Sequence, residues 1–140
     1  MSITHEKHSL RNPAGIGHLG ELAVRKELHR QGYNVYIPQC DNDGVDMVVE
    51  DQNHDKFTRV NVKTVTKLKT STSIEVRMTR HVGTGRVDCI ALYYAPEDSI
   101  AFIPYNNKME FLNVALRNAK NNQQKDRVWF WAYRDFPEYE

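Results

Sequence analysis

Cysteines and long apolar runs are the two features that this sequence most clearly lacks. It has two cysteines, Cys40 and Cys89, among 140 residues, too few for a disulfide framework and at no familiar spacing for a zinc site. No window approaches the roughly 20 apolar residues that a membrane-spanning helix needs, and we expect no signal peptide. We therefore expect a cytoplasmic protein with two reduced thiols and no membrane partner.

Net charge is also nearly absent, at +1, but the charges are unevenly distributed. The segment from Arg59 to Arg86 carries seven lysines and arginines against a single acid, Glu75, and so has a net charge of +6. Such a stretch suits a phosphate-binding surface. It equally suits a solvated edge strand whose lysines discourage aggregation. Charge alone leaves both interpretations open.

The length of the chain fits one domain with its own core. Residues 1–16 show no sustained periodicity and are predicted to form a flexible arm. Residues 17–140 are predicted to form a single α/β domain, in which a central mixed β-sheet is flanked by α-helices. The predicted strands cover residues 33–38, 46–50, 60–69, 74–78, 87–94, 100–103 and 128–133.

Two helices are predicted. Residues Gly17–Gln31 show a helical pattern that Gly32 ends, and apolar residues at helical spacing predict a second helix over Asn107–Ala119. In the first helix, Glu21 lies on the same side as the apolar Val24. A carboxylate there is costly unless it is paired or binds a cation, although the helix dipole also favours a glutamate in the first turn.

A predicted hairpin brings chemically useful side chains together. The strands of residues 46–50 and 60–65 are separated by a polar run that favours a turn. If the turn centres on Asn53–His54, Asp46 falls opposite Asn61, and Lys63 lies one diagonal step further along. Neighbours on one face of a β-sheet are about 5 Å apart and diagonal neighbours about 7–8 Å apart. A carboxylate, an amide and an ammonium group would then share one patch.

This patch has the donors that a magnesium site requires. Mg²⁺ prefers oxygen ligands and keeps several waters, so one or two carboxylates suffice. Asp46 offers the charge, the Asn61 side chain or the Val62 carbonyl offers a neutral oxygen, and Glu21 could join directly or through water. The Lys63 ammonium could orient an attacking water and neutralise charge in the transition state. A simple Asp46–Lys63 salt bridge, worth under about 1 kcal/mol if exposed, explains the pair equally well.

At these residues the chain resembles the PD-(D/E)XK nuclease superfamily. The similarity rests on Gly20-Glu21 in a helix, Gly32-Tyr33 after it, Asp46 at the start of a strand, and Asn61-Val62-Lys63-Thr64 after a short loop. Within the superfamily, the chain looks most like archaeal-type Holliday-junction resolvases and group I intron-associated endonucleases. The intron-associated enzymes are similar also in residues 87–94 and 100–104.

The resemblance implies a restriction-endonuclease-like fold and Mg²⁺-dependent hydrolysis of DNA, with Mn²⁺ able to substitute. It gives Glu21, Asp46 and Lys63 the roles described above, and a homodimer or homotetramer is expected because cutting two strands needs two sites. Asn61 departs from the family, which has Glu, Asp or Gln at this position. Either a neutral ligand suffices, or Glu75 or Asp43 compensates, or the chain is a catalytically inactive nucleic-acid-binding protein.

The predicted site residues follow from this interpretation. The catalytic set is Glu21, Asp46, Asn61 and Lys63, and the metal ligands are Asp46, Asn61, Val62 and Glu21. The expected partner is DNA, possibly branched, and the enzyme would be resolvase-like or homing-endonuclease-like. A small interaction protein with merely solvated charges is the remaining alternative. The predicted DNA-binding residues are Arg25, Lys67, Lys69, Arg77, Arg80, His81 and Arg86.

Overall fold

The elements follow one another along the chain as one helix and then seven strands, in a computed structural model that describes residues 12–40, 43–117 and 128–138. The α-helix of this part of the chain is α1 (Pro13–Arg30). The strands are β1 (Asn34–Tyr36), β2 (Met47–Glu50), β3 (Phe57–Val65), β4 (Ser73–Arg77), β5 (Cys89–Tyr94), β6 (Ser99–Pro104) and β7 (Phe111–Ala115). Short 3₁₀-helices cover Thr79–His81, Ala95–Glu97 and Phe130–Tyr133.

Five strands form a mixed sheet in the order β1-β2-β3-β5-β6. The pairs β1–β2, β2–β3 and β5–β6 are antiparallel, whereas β3 and β5 run parallel. All six residues of β5 are buried, as expected for a strand that is covered on both faces. The predicted α/β class with a mixed central sheet is confirmed.

The central sheet is covered differently on its two faces. Helix α1 packs on one face, where Val24 and Leu28 meet Met47, Val60 and Phe102 in one buried cluster. The second sheet, in which β4 and β7 pair antiparallel, covers the other face. Its buried residues form a second cluster with residues of β5 and β6. The described residues thus form three layers, with the central sheet in the middle.

Helix α1 begins four residues earlier than predicted. The side chain of Asn12 accepts hydrogen bonds from the backbone N–H groups of Ala14 and Gly15, at 3.0 and 3.4 Å, and so caps the helix. Pro13 follows at the first helical position, which suits its fixed φ. Residues 1–11 of the predicted arm lie outside the described residues.

The prediction of a helix over Asn107–Ala119 is wrong. Residues 111–115 form strand β7, in which the buried Leu112 and Val114 alternate with the exposed Phe111 and Asn113. This period of two is the strand pattern. The sequence did not reveal this strand pattern, because apolar residues of the segment also recur at helical spacing.

The prediction of a strand over residues 128–133 is also wrong. Trp129 forms a single β-bridge with Ala115, and Phe130–Tyr133 is a 3₁₀-helix. The N–H of Ala132 donates to the carbonyl of Trp129 at 3.1 Å. Phe130 is fully buried in the cluster between the two sheets. Phe130 therefore packs on the core from a 3₁₀-helix and not from a sheet ladder.

Cys40 is exposed, Cys89 is buried, and both are free thiols, as predicted. Within residues 12–40, 43–117 and 128–138, none of the helices has the length and apolar character needed to cross a bilayer.

Candidate active site

The hairpin register agrees with the prediction. Met47 pairs with Val60 and Glu50 with Phe57 across β2 and β3, and one further step in this register places Asp46 opposite Asn61. The turn between the strands is held by Asp51, whose carboxylate accepts the N–H of Asp55 at 3.0 Å. The register is what brings residues far apart in sequence onto one patch.

Asn61 and Lys63 project from the face of the central sheet that lies opposite helix α1. In the parallel register with β5, they pair with Ile90 and Leu92, which belong to the buried cluster on that face. Asp46 is fixed at the same place, because its carboxylate accepts the backbone N–H of Val62 at 2.6 Å. The structure therefore brings together the predicted carboxylate, amide and ammonium.

The amide of Asn61 has one satisfied and one unsatisfied group. Its Nδ2 donates to the carbonyl of Gly44 at 2.6 Å, which fixes the orientation of the amide because the carbonyl can only accept. Its Oδ1 is buried and has no hydrogen-bond partner in the part of the chain that the structure describes. A buried acceptor without a partner is costly, and a bound cation would remove that cost.

Gly44 holds this arrangement in place. Its φ is +75°, and a Cβ atom there would lie 2.6 Å from Cε1 of His81, so only glycine fits. The His81 ring is buried, and burial lowers its pKa, with further lowering by the positive charges of Lys63 and Arg80. A neutral imidazole therefore packs against the residue whose carbonyl orients Asn61. Sequence reasoning missed this role of Gly44, although a glycine two residues before Asp46 was a usable signal.

Lys63 experiences both signs of charge. Burial lowers the pKa of its ammonium and the positive charge of Arg80 lowers it further, whereas the Asp46 carboxylate raises it. A half-buried lysine whose pKa is lowered exchanges a proton more readily than a solvated one. This suits a group that must handle the proton of a nucleophilic water.

Glu21 lies on the other side of β3. Its neighbour Gly20 packs so closely on β3 that a Cβ atom would lie 1.8 Å from Oγ1 of Thr64. The Glu21 carboxylate is 3.8 Å from Nδ1 of His18. The role of Glu21 as a metal ligand stays a prediction.

The donor set fits a hard divalent cation, although it has few charges. No group of three or more His, Cys, Asp or Glu side chains that could hold a metal occurs among the described residues. The Asp46 carboxylate and the unpartnered Oδ1 of Asn61 are nevertheless oxygen donors of the kind that Mg²⁺ prefers, and Mg²⁺ commonly binds through one or two carboxylates. The Val62 carbonyl is a third predicted oxygen.

The two carboxylates suggested as compensation each have a basic partner. Glu75 lies in β4 of the second sheet, 3.4 Å from Nζ of Lys69. Asp43 lies beside Gly44 and forms an ion pair with Arg86 at 3.1 Å.

Several positive charges of the basic segment, residues 59–86, are paired with acidic side chains in the structure. Arg59 pairs with Asp88 through two contacts of 2.9 Å, and Lys69 and Arg86 also have acidic partners. Such pairs join residues up to 43 positions apart and were not predictable from local charge. The exposed members of the predicted DNA-binding set are Lys67, Lys69, Arg77, Arg80 and Arg86.

The other two members of that set are less accessible. Arg25 is half-buried on α1. His81 is only 4% exposed, and this burial leaves little of its ring for a phosphate at the surface. His81 instead packs against Gly44, whose backbone carbonyl holds the Asn61 amide.

Both the sequence and the fold are similar to those of known proteins. The sequence profile of the PD-(D/E)XK endonuclease family matches residues 11–136. Among solved structures, the bacterial homing endonuclease I-Ssp6803I is similar, with a TM-score of 0.62 and 17% sequence identity over 88% of this chain and 86% of that one. No protein in the curated set matches the sequence.

The structural similarity shows a shared fold, and the profile match covers nearly the whole chain. The matched region includes the Asp46, Asn61 and Lys63 patch. This chain therefore belongs to the PD-(D/E)XK endonuclease family.

Proposed function

We propose that this protein is a divalent-metal-dependent DNA endonuclease that hydrolyses phosphodiester bonds at the patch of Asp46, Asn61 and Lys63. The observation that carries the proposal is the buried, unpartnered Oδ1 of Asn61. It lies in the hairpin register opposite Asp46, with Lys63 on the same face. This patch therefore combines an unpartnered oxygen, a carboxylate and a lysine. Together these groups suit the hydrolysis of a phosphodiester bond.

Asp46, Asn61 and the Val62 carbonyl would hold the ion, with Glu21 as a further predicted ligand. A bound Mg²⁺ or Mn²⁺ ion would act as a Lewis acid on the phosphate and promote ionisation of a water. Other groups of the chain hold these proposed metal ligands in position. The Val62 N–H fixes Asp46, and the Gly44 carbonyl fixes Asn61.

Lys63 has a separate task in this proposal. Its ammonium lies in the field of Asp46 and Arg80 and on the same face of the sheet as Asn61, where it would position the attacking water. As a neutral amine Lys63 would accept the proton of that water, and the ammonium formed would offset the negative charge that grows on the phosphate oxygens. Removal of its amino group should therefore affect the chemical step more than DNA binding.

The finer features of the substrate are also proposals. The exposed lysines and arginines near the site suit a DNA backbone, and binding should then weaken steeply with salt. Linear and branched DNA are both candidate substrates. A resolvase-like enzyme would cut branched DNA, and a homing-endonuclease-like enzyme would cut DNA at a specific site. A homodimer or homotetramer would supply two sites for two strands.

The test is a cleavage assay with four-way-junction, linear and supercoiled DNA, with and without Mg²⁺. The wild-type protein should nick or cut at least one substrate only when Mg²⁺ or Mn²⁺ is present. Lys63→Ala should lower the cleavage rate by about 100-fold or more and leave the dissociation constant for DNA nearly unchanged.

Lys26→Ala is a matched control, because Lys26 is an exposed lysine on α1. It should cut at the wild-type rate. Equal cleavage by Lys63→Ala and Lys26→Ala would remove Lys63 from the mechanism.

A second candidate function is DNA binding without catalysis. It is motivated by Asn61, which provides no charge where the family has an acid or a glutamine. This alternative predicts salt-sensitive retention of DNA without metal-dependent nicking of any of the three substrates. Nicking that requires Mg²⁺ or Mn²⁺ would exclude it.

A further inference from the structure

A small polar cavity lies directly beside the candidate active site. It has a volume of about 220 Å³ and is lined by Asp43, Gly44, Arg80, His81, Thr84 and Arg86. We propose that this arginine cavity seats a backbone phosphate of the DNA next to the phosphate that is cut, and that the Asp43 carboxylate occupies the seat until DNA displaces it. This inference rests on the proposed function and adds a binding position and a competing internal anion to it.

The cavity shares residues with the catalytic patch. Gly44 lines it and also holds the Asn61 amide through its carbonyl. Arg80, on the same wall, is close enough to Lys63 for its charge to act on the ammonium. A DNA strand with one phosphate in this cavity would therefore also pass the Asp46 and Lys63 side chains.

The wall of the cavity is organised before any ligand arrives. The Oγ1 of Thr84 donates to the carbonyl of His81 at 2.9 Å, and the N–H of Arg86 donates to the same Oγ1 at 3.2 Å. Asn107 braces the loop from outside, with Nδ2 donating to the carbonyl of Val87 at 2.7 Å. A loop held in this way presents its arginine with little ordering cost on binding.

The cavity also contains an unsatisfied buried group. His81 is only 4% exposed, and its Nε2 has no hydrogen-bond partner among the residues that the structure describes. Arg80 and Arg86 bring two positive charges to this wall against the single carboxylate of Asp43, which makes the surroundings favourable for an anion.

The Asp43–Arg86 pair resembles the contact that a phosphate would make. The Oδ2 of Asp43 lies 3.1 Å from a terminal guanidinium nitrogen of Arg86, and both side chains are more than half exposed. An exposed pair of this kind contributes little to stability. A phosphate offers more acceptor oxygens and a better match to a guanidinium than one carboxylate oxygen does. The pair is therefore easily exchanged for DNA.

The proposal makes an unusual prediction about Asp43. Removing an arginine from a DNA-binding surface weakens binding, but removing the competing carboxylate should strengthen it. We expect Asp43→Asn to bind a fluorescein-labelled duplex about fivefold more tightly in EDTA, since an exposed ion pair is worth up to about 1 kcal/mol. The slope of log K against log salt should become steeper by up to about 0.9, the value of one phosphate contact.

The experiment compares five proteins by fluorescence anisotropy across a series of NaCl concentrations. They are the wild type, Asp43→Asn, Arg86→Ala, the double variant of both, and Glu97→Gln. The last is the matched control, because Glu97 forms an exposed ion pair of 3.2 Å with Arg117 in another part of the fold. Glu97→Gln should bind as the wild type does, and the double variant should bind as Arg86→Ala does.

Three results would overturn the proposal. If Asp43→Asn still tightens binding when Arg86 is alanine, the effect is one of overall charge. If Glu97→Gln tightens binding equally, the location is irrelevant. If Asp43→Asn requires more Mg²⁺ for cleavage, Asp43 is a metal ligand instead.

The outcome for the wild type separates this proposal from the proposed function. A wild-type protein that fails to bind DNA at low salt would refute both. A wild-type protein that binds and cuts DNA, with no change of affinity in Asp43→Asn, would refute the phosphate seat and leave the endonuclease proposal intact.

Discussion

Replacement of Asn61 by aspartate tests whether this position is a metal ligand. The substitution restores the charge that the family has here, but it also removes the N–H donor that now bonds the Gly44 carbonyl at 2.6 Å. Asn61→Asp should therefore be less stable than the wild type without metal and respond more strongly to metal. These opposite effects make the prediction specific.

The size of both effects can be worked from the structure. Asn61 is only 5% exposed, and an unpaired buried carbonyl costs about 1–3 kcal/mol. The new carboxylate oxygen would also face the Gly44 oxygen, while the positive charge of Lys63 partly offsets the added negative charge. We expect a loss of about 2–3 kcal/mol in EDTA. A ligand at 100 times its dissociation constant stabilises the folded state by about 2.7 kcal/mol, so saturating Mg²⁺ should return most of the loss.

The assay is urea unfolding in EDTA and at increasing Mg²⁺. Asn61→Leu is the matched control, because leucine has the same branched arrangement of side-chain heavy atoms and also leaves the Gly44 carbonyl unpaired, but has no oxygen to bind a cation. The Mg²⁺-dependent rise in the free energy of unfolding should be largest for Asn61→Asp, smaller for the wild type and smallest for Asn61→Leu.

An equal response to Mg²⁺ in Asn61→Asp and Asn61→Leu would refute the reasoning. The ion would then be held elsewhere, and the unpartnered Oδ1 of Asn61 would have no bearing on metal binding.

Two further predictions concern packing and pH. Gly20→Ala should destabilise the fold by about 2 kcal/mol, because its Cβ would lie 1.8 Å from Oγ1 of Thr64. In urea unfolding, the additional substitution Thr64→Ala should restore most of that loss. No recovery would mean that the helix does not rest on this contact. Burial lowers the pKa of His81, so the unfolded chain takes up a proton near pH 6.5 that the folded protein does not. Stability should therefore fall as the pH drops below about 6.5, and His81→Gln should flatten this decline; an equal decline in both proteins would contradict it.

The hairpin was predictable because its signals are local. The alternation in residues 46–50 and 60–65 and the polar run between them determine both the turn and the register, and hence the meeting of Asp46 with Asn61. The start of α1 was equally readable, since Asn12 and Pro13 are a cap and a first-turn residue, but this signal was overlooked. Where sequence neighbours decide the geometry, the sequence suffices.

The remaining features depend on contacts between distant residues. Strand β7 follows from its pairing with β4, which a helical spacing of apolar residues conceals. The contact of His81 with Gly44 and the ion pair of Asp43 with Arg86 join segments about 40 residues apart. No local pattern reports such partners, so the arginine cavity could be found only from the fold.

The position of the patch on the β2–β3 hairpin has a consequence for how such a chain can diversify. The turn joins one end of the two strands, whereas Asp46 and Asn61 lie at the other end, where the strands separate. Substitutions and insertions in the segment that follows β3, after Val65, would reshape the surface near the patch without disturbing the ladder between β2 and β3. New target preferences could therefore evolve while the chemical groups keep their mutual spacing.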